Sequence, residues 1–376
     1  MGLCRFNHVK ITGIKGVVPE RVINIDDEIQ YYDNDPKKLA RNKKILGLGT
    51  RHVVEDDTTM CDMCEVAAQM LIDELQLNRD DIDMILVAST SHEYNYPPTA
   101  CILQGRLNLK ENCTALDLHG YGCSGYVHVL LVASSMIEAG TVRNAFILVG
   151  DVASKDSDIR NRLTNMLFGD AAVATFLEYT EEKRESWFCT GSRGKEFKNI
   201  IAPAGGTKLP IKKDIIDLEI SDKAGNIWHL WENYIHGMNV FKFSLDVAPR
   251  TIEEILRYSG KTIEEIDFFA IHQANKQIIR SVAQNANLPL EKYSSETFTK
   301  YGNCATAAVA TVICDQLCNK KVNNIVLCTF GVGLSWGTAI INLNGSHNGG
   351  ITLYKRKSME KRKDLINYWI NTFKQE

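Results

Sequence analysis

The sequence predicts an α/β fold built from two similar halves, and three observations carry that prediction. The runs "MILVAS", "AFILVG", "FFAIH" and "NIVLCTF" are almost continuously apolar, as strands buried on both faces are. Helical segments alternate with them, which implies sheets covered by helices. The pattern also recurs within the chain. "LNRDDIDMILVAST" (Leu77–Thr90) and "SGKTIEEIDFFAIHQA" (Ser259–Ala274) each place an acidic pair and Ile-Asp before an apolar strand. The stretches Cys123–Asp151 and Asn303–Gly331 each read as a helix, a turn with Val-x-Asn, and a buried strand. The step from Cys123 to Val142 equals the step from Asn303 to Val322, as a duplicated unit requires.

The chain has 376 residues, enough for one large core or two fused ones. Its formal net charge of -3 gives no reason to expect a nucleic-acid or membrane partner. The N-terminal "MGLCRFNHVKITGIKGVVP" reads as a strand and lacks the apolar centre of a signal peptide. No apolar run is long enough to span a membrane. The 11 cysteines are scattered over helices and strands, which suits a reduced, cytoplasmic chain better than a disulfide framework. Cys61 and Cys64 form a lone C-x-x-C, without the second pair or the histidines a zinc site needs, and read as ordinary helix residues.

The first half runs over residues 1–178, a connecting segment with surface strands over 179–226, the second half over 227–345, and a C-terminal extension over 346–376. "NGSHNGG" reads as a turn. The basic extension ends in "LINYWINTF", whose spacing suits a solvated helix that packs one apolar stripe.

The helices after Cys123 and after Asn303 are apolar almost all round, so both belong in the core, packed together. Their N-termini would then meet near one centre. A cysteine there has the unsatisfied N–H groups and helix dipole that favour a thiolate. Gly122 and Gly125 permit sharp turning and close approach of substrate. A buried inert cysteine is the plain alternative. His272 ends the second-half strand, where a satisfied core histidine is equally ordinary, and Asn303 could be a helix cap. Placed together by the repeat, the three make a nucleophile with two polar partners. In "CTFGVGLSWGTAIINL" the glycines are followed by a strand rather than a helix. A dinucleotide loop is therefore excluded, and a tight turn with a backbone N–H facing the site fits better. Phe168, Gly169 and Asp170 read as a structural turn.

With these residues in view, the sequence resembles the thiolase-fold condensing enzymes, specifically the β-ketoacyl-acyl carrier protein synthase III family. The motifs "GCSGY", "FGDAA", "IHQAN", "YGNCATAA" and "FGVGLSWG" carry the resemblance over about residues 8–343. It implies a duplicated five-layered αβαβα fold. It also implies an acyl-accepting Cys123, with His272 and Asn303 polarising a malonyl thioester, and an oxyanion hole from the backbone N–H groups of Cys123 and Val332. The expected reaction is a decarboxylating Claisen condensation of an acyl thioester with malonyl-acyl carrier protein. The expected substrates carry phosphopantetheine, as coenzyme A or acyl carrier protein, and no resident cofactor or metal is expected. Family members are usually homodimers in which a loop aromatic closes the neighbouring acyl pocket. "SHEYNYPPTA" matches that loop, with Tyr96 as the aromatic. Lys242 matches a basic carrier-binding position. Lys276 and Arg280 share a helix face that would attract an acidic carrier.

The match has departures. A Trp that stacks on coenzyme A in typical members is missing from "DPKKLARNKKILGLGTRHVVEDD", and Gln277 replaces a basic residue. The primer carrier, coenzyme A or acyl carrier protein, therefore stays open. "DLHGYGC" is one residue longer than usual, with Tyr121 beside the nucleophile, so Tyr121 and Tyr96 are the expected acyl-pocket residues. These features suggest a specialised member, such as one serving a glycan or a secondary metabolite. Two other readings compete: simple acyl transfer to a hydroxyl or amine, and a non-catalytic partner of an active homologue. The intact Asn303 argues against the first, and the intact trio against the second.

Overall fold

The structure is a computed structural model that describes residues 2–223, 225–355 and 362–375. Its strands are β1 (Gly2–Phe6), β2 (Val9–Pro19), β3 (Met84–Ser89), β4 (Thr114–His119), β5 (Asn144–Asp151), β6 (Ala171–Tyr179), β7 (Ser186–Ser192), β8 (Phe268–Ile271), β9 (Asn324–Gly331), β10 (Ser335–Asn342) and β11 (His347–Tyr354), besides short pairs at the surface. The main helices are α1 (Pro36–Leu46), α2 (Met60–Leu75), α3 (Thr99–Arg106), α4 (Gly125–Glu138), α5 (Gly237–Ser259), α6 (Lys276–Asn285), α7 (Glu296–Tyr301), α8 (Ala308–Gln316) and α9 (Arg362–Gln375).

Two sheets organise the chain: a six-stranded one in the order β11-β2-β6-β5-β3-β4 and a five-stranded one in the order β1-β7-β10-β9-β8. The duplication is visible in the pairing. β5 runs parallel to β3 and antiparallel to β6. β9 likewise runs parallel to β8 and antiparallel to β10. The two central helices, α4 and α8, lie between the sheets. Tyr126, Leu130, Val309 and Ile313 share one buried cluster with inward residues of both sheets, such as Leu86, Ile147, Ile325 and Leu327. Helix α8 is buried along most of its length, and α4 is buried except on a partly open side that carries Leu131, Val132 and Ser135, which is why both are apolar nearly all round. Outside the first sheet, α2 and α3 cover Ile85, Val87, Phe146 and Leu148. Outside the second, α5 and α6 cover Phe269, Val326, Cys328 and Ile340. The result is the expected five-layered αβαβα arrangement.

The sheets cut across the divisions drawn from the sequence. β7, inside the 179–226 connection, is a mostly buried strand of the second sheet, paired with β10 on one side and β1 on the other. Thus the N-terminal strand, counted with the first half, edges the second sheet. β11, counted with the extension, runs parallel to β2 in the first sheet, so "NGSHNGG" is a turn only at its start. Periodicity within a segment does not reveal such long-range partners. Surface pairs do occur further on, between Ile200–Ile201 and Tyr234–Ile235 and between Ile220–Ser221 and Ile227–Trp228.

The helical ending of "LINYWINTF" is present, but its apolar residues stay open: Ile366, Tyr368, Trp369, Ile370 and Phe373 are all exposed. This corrects the expected packed stripe. The basic run at 356–361 lies outside the described residues. Among the described residues, no helix is long and apolar enough to cross a membrane. Cys61 and Cys64 are buried residues of α2, and burial pushes the Cys61 thiol up to about 12. They are ordinary helix residues, as expected.

Candidate active site

Cys123 lies in a single helical turn, Gly122–Ser124, that leads into α4. Gly122 adopts φ 50, a left-handed conformation that glycine tolerates without penalty. A side chain there would also meet Val332 Cγ2 at 2.8 Å. Gly331 permits the same closeness from the other side: a Cβ on it would lie 3.0 Å from Cys123 Cβ and 3.2 Å from Cys123 N. The Gly331–Val332 backbone is therefore pressed against the nucleophile's own amide. Two serines tie these turns together. Ser124 Oγ and Ser335 Oγ are hydrogen-bonded at 2.6 Å, and Ser335 Oγ donates to the Val332 carbonyl at 2.5 Å. That network ties the turn carrying Cys123 to the turn carrying Val332, whose amides are the expected oxyanion donors.

His272 follows β8, with its own amide donating to the Cys328 carbonyl at 2.8 Å. It is 2% exposed and stands edge-on to Phe330, 5.2 Å between ring centroids. Burial depresses its pKa to about 3, so the ring is neutral at physiological pH. Its Nδ1 has no hydrogen-bond partner among the described residues.

Asn303 is held by the turn before α8. Its amide donates to the Leu167 carbonyl at 2.8 Å, and its carbonyl accepts from Gly169 N at 3.2 Å. The "FGD" and "YGN" segments thus interlock, and a Cβ on Gly169 would lie 1.9 Å from the Tyr301 carbonyl oxygen. Asn303 Oδ1 accepts from Ala305 N at 3.1 Å, an Asx turn rather than the expected helix cap, since Cys304 and Ala307 hold the cap positions of the helical segments that follow. The carboxamide also donates toward the Cys123 sulfur, lowering that thiol's pKa. One side chain therefore shapes its own turn and reaches the thiol.

The helix-terminus argument for a resting thiolate does not hold. Burial first, and the Asp151 carboxylate second, push the Cys123 thiol up to about 12, against the help of its own amide and Asn303. The residue as a whole is partly exposed, yet its sulfur sits deep enough for burial to dominate. The full helix begins two residues later, at Gly125, which weakens the dipole at the sulfur.

Of the remaining expected residues, Tyr121 adjoins Cys123 as the cap of its turn, and the others lie on separate elements. Tyr96 is 86% exposed on the loop before α3 and closes no pocket of its own protomer. Tyr121 stacks on His128, 4.4 Å between centroids, and is partly open to solvent. Lys242 is exposed on α5. Lys276 opens α6 and lines a cleft of about 650 Å³ with Asp26, Lys43, Lys44 and Thr299, while Arg280 is exposed one turn on. This cleft contains none of Cys123, His272 and Asn303. For a metal, the described residues bring together Asp158, His229 and Glu232, whose ligand atoms lie within 4.8 Å of one another. Protein partners already engage them: Arg160 holds Asp158, and His229 and Asn161 hold Glu232.

Comparison with known proteins agrees with this geometry. The models for the N-terminal and C-terminal regions of 3-oxoacyl-[acyl-carrier-protein] synthase III match residues 116–194 and 256–343. A Campylobacter jejuni protein, "Putative 3-oxoacyl-[acyl-carrier-protein] synthase 3", is 33% identical over 94% of this chain and 99% of its own. The chain belongs to the 3-oxoacyl-[acyl-carrier-protein] synthase III family. A Bacteroides thetaiotaomicron β-ketoacyl-[acyl-carrier-protein] synthase III is 31% identical over 88% of this chain and 95% of its own. Among solved structures, a 3-oxoacyl-(acyl-carrier protein) synthase from Burkholderia xenovorans LB400 superposes with TM-score 0.86 and 28% identity, covering 94% of this chain and 99% of that one. The fold is the thiolase fold, and the protein is an acyltransferase of the synthase III type. Within this family, the Ser124–Ser335 bridge and the buried Asp151 are site features that motif reading passed over. Serine and aspartate are too common in turns to stand out without coordinates.

Proposed function

We propose that the protein joins an acyl group to a malonyl thioester with loss of CO2, through an acyl-Cys123 intermediate. The observation that supports this best is the Asn303 carboxamide that donates toward the Cys123 sulfur, together with a histidine, His272, that burial keeps neutral elsewhere in the core. In the first half-reaction the Cys123 sulfur attacks the thioester carbonyl. The Cys123 and Val332 amides receive the oxyanion, and the pantetheine thiol leaves with the cysteine proton. In the second, malonyl thioester loses CO2 and the electron pair passes to the thioester carbonyl, giving an enolate. His272 and Asn303, both uncharged N–H donors, stabilise that oxygen. The enolate carbon attacks the acyl carbonyl, the C–S bond breaks, and the Cys123 thiolate recovers a proton from solvent. The products are a β-ketoacyl thioester and CO2.

The high resting pKa of Cys123 fits a nucleophile that loses its proton only as the acyl donor enters. No resident cofactor enters this scheme, since the substrates bring phosphopantetheine. Lys242, Lys276 and Arg280 are the proposed docking cations for an acidic carrier, and the lysine-lined cleft beside α6 supports that side of the molecule. A homodimer is supported by β4, which edges the six-stranded sheet with an alternating, half-open side-chain pattern. Such a dimer would give the exposed Tyr96 the neighbouring acyl pocket to close, and Tyr121 would shape the pocket's near wall. The 11 free thiols support a reducing, cytoplasmic setting.

Release of labelled CO2 from a malonyl thioester tests the reading. Wild-type protein should release it, and Asn303→Ala should release it about 10²-fold more slowly. Acyl transfer to a hydroxyl or amine without CO2 release would replace condensation with simple acyl transfer.

A further inference from the structure

Asp151, the last residue of β5, is fully buried and takes no part in the scheme above. Its Oδ1 accepts four hydrogen bonds from one turn: Ser89 Oγ at 2.9 Å, Thr90 N at 2.7 Å, Thr90 Oγ1 at 2.8 Å and Ser91 N at 3.2 Å. Its Oδ2 accepts from Thr306 N at 2.8 Å. All five donors are neutral, so a carboxylate has been buried on hydrogen bonds alone. Such a group costs stability unless every lone pair is used.

The position of those donors gives the residue its meaning. Thr306 follows Ala305, whose φ of 44 is left-handed and uncommon for a residue with a Cβ. Two successive amides are pinned there: Ala305 N to Asn303 Oδ1, and Thr306 N to Asp151 Oδ2. The strained turn is thus held between the carboxamide it must aim and the Asp151 carboxylate. On the other side, Thr90 Cγ2 lies 3.7 Å from where a Cβ on Gly122 would sit, so the Ser89–Ser91 turn backs the nucleophile.

We propose that Asp151 is a positioning residue for the condensation step: it clamps the turn behind Cys123 to the Ala305–Thr306 turn and thereby aims the Asn303 carboxamide. Its part in condensation rests on the function proposed above, whereas its effect on the thiol does not. After burial, the carboxylate is the second influence that disfavours the Cys123 thiolate, through its negative charge. The other polar side chain acting on Cys123 is the uncharged Asn303 carboxamide. Around Asp151 itself the titratable neighbours are Asp156, His119, Cys64 and Cys304.

Asp151→Asn keeps the shape, removes the charge, and presents an N–H where an acceptor is required. The two consequences have opposite signs. Alkylation of Cys123 by iodoacetamide at pH 8 should rise about threefold or more, with its pH profile moved to lower pH. Condensation per acylated enzyme should fall about tenfold or more, as Asn303 loses its aim. A merely destabilising substitution would also raise alkylation of the buried Cys314 and Cys328, which loss of the Asp151 charge leaves unlabelled. Thr90→Val, which removes one donor and keeps the charge, provides a second route if Asp151→Asn fails to fold. It should slow condensation about threefold and leave the alkylation profile in place. Unchanged condensation in either folded variant, or an unshifted alkylation profile in Asp151→Asn, overturns the proposal. Wild-type protein that releases no CO2 from malonyl thioester would overturn the proposed function instead, and the alkylation profile would still judge Asp151's charge at the thiol.

Discussion

Gly169→Ala tests whether the interlock between "FGD" and "YGN" places Asn303. The added Cβ would lie 1.9 Å from the Tyr301 carbonyl oxygen, 3.1 Å from its carbon and 3.2 Å from the His52 oxygen. All three are backbone atoms, so no side chain can swing aside. Relieving the shortest contact requires the chains to part by about 1 Å or more. The parting falls two residues from Asn303, on the segment that Gly169 N holds through the Asn303 carbonyl at 3.2 Å. A displacement of about 1 Å at a catalytic donor costs on the order of 10²-fold in rate. Overpacking of this kind costs about 1–3 kcal/mol of stability. Acylation of Cys123, which relies on the Cys123 and Val332 amides, should change by less than about tenfold. The assay pairs single-turnover acylation, read by intact mass, with β-ketoacyl product formation. A denaturant titration of the same preparation gives the stability loss. Condensation at the wild-type rate would refute the reasoning, whatever the stability.

Three further outcomes follow from the same geometry. Asn303→Ala should acylate within about threefold of wild type yet condense about 10²-fold more slowly, because one of two enolate donors is gone; equal losses in both steps would contradict the assigned roles. His272, with its folded pKa lowered to about 3, should add no titration limb to the rate profile between about pH 5 and 8. Its contribution to stability is complete above the unfolded value of about 6.5 and is lost at roughly 1.4 kcal/mol per pH unit as pH falls toward 3. A His272→Gln variant should therefore show a flatter acid limb in denaturant titrations, and an identical limb would count against a buried neutral ring. Arg51 and Glu28 form a bidentate buried pair with both bonds at 2.6 Å. Removing one partner, as in Glu28→Gln, should cost about 3–5 kcal/mol by chemical denaturation, and a loss under about 1 kcal/mol would contradict it.

The closeness of Cys123 and Asn303 was legible because duplication leaves a record in sequence: the two begin matching helices, and the Asn303 carboxamide does donate toward the Cys123 sulfur. His272 follows a matching strand, and its part in the site stays a proposal. Apolar runs exposed the sheets for a similar reason: strands buried on both faces carry no polar alternation. Sheet membership was less legible. β1, β7 and β11 find partners far along the chain, and nothing within a short segment encodes that distance. The state of the thiol was hidden too. The helix terminus is visible in sequence, whereas the opposing burial and the Asp151 charge exist only after folding. The exposed aromatic residues of α9 show the same limit, since helical spacing reveals a stripe without saying what covers it.

The most direct measurement is peptide mapping of the protein after incubation with a panel of acyl-coenzyme A and acyl-carrier-protein thioesters, followed by addition of malonyl-acyl carrier protein. The account predicts one acyl mass on the peptide carrying Cys123, which disappears as CO2 and a β-ketoacyl thioester appear. An acyl group mapped to another residue, or one on Cys123 that malonyl thioester never removes, would contradict it.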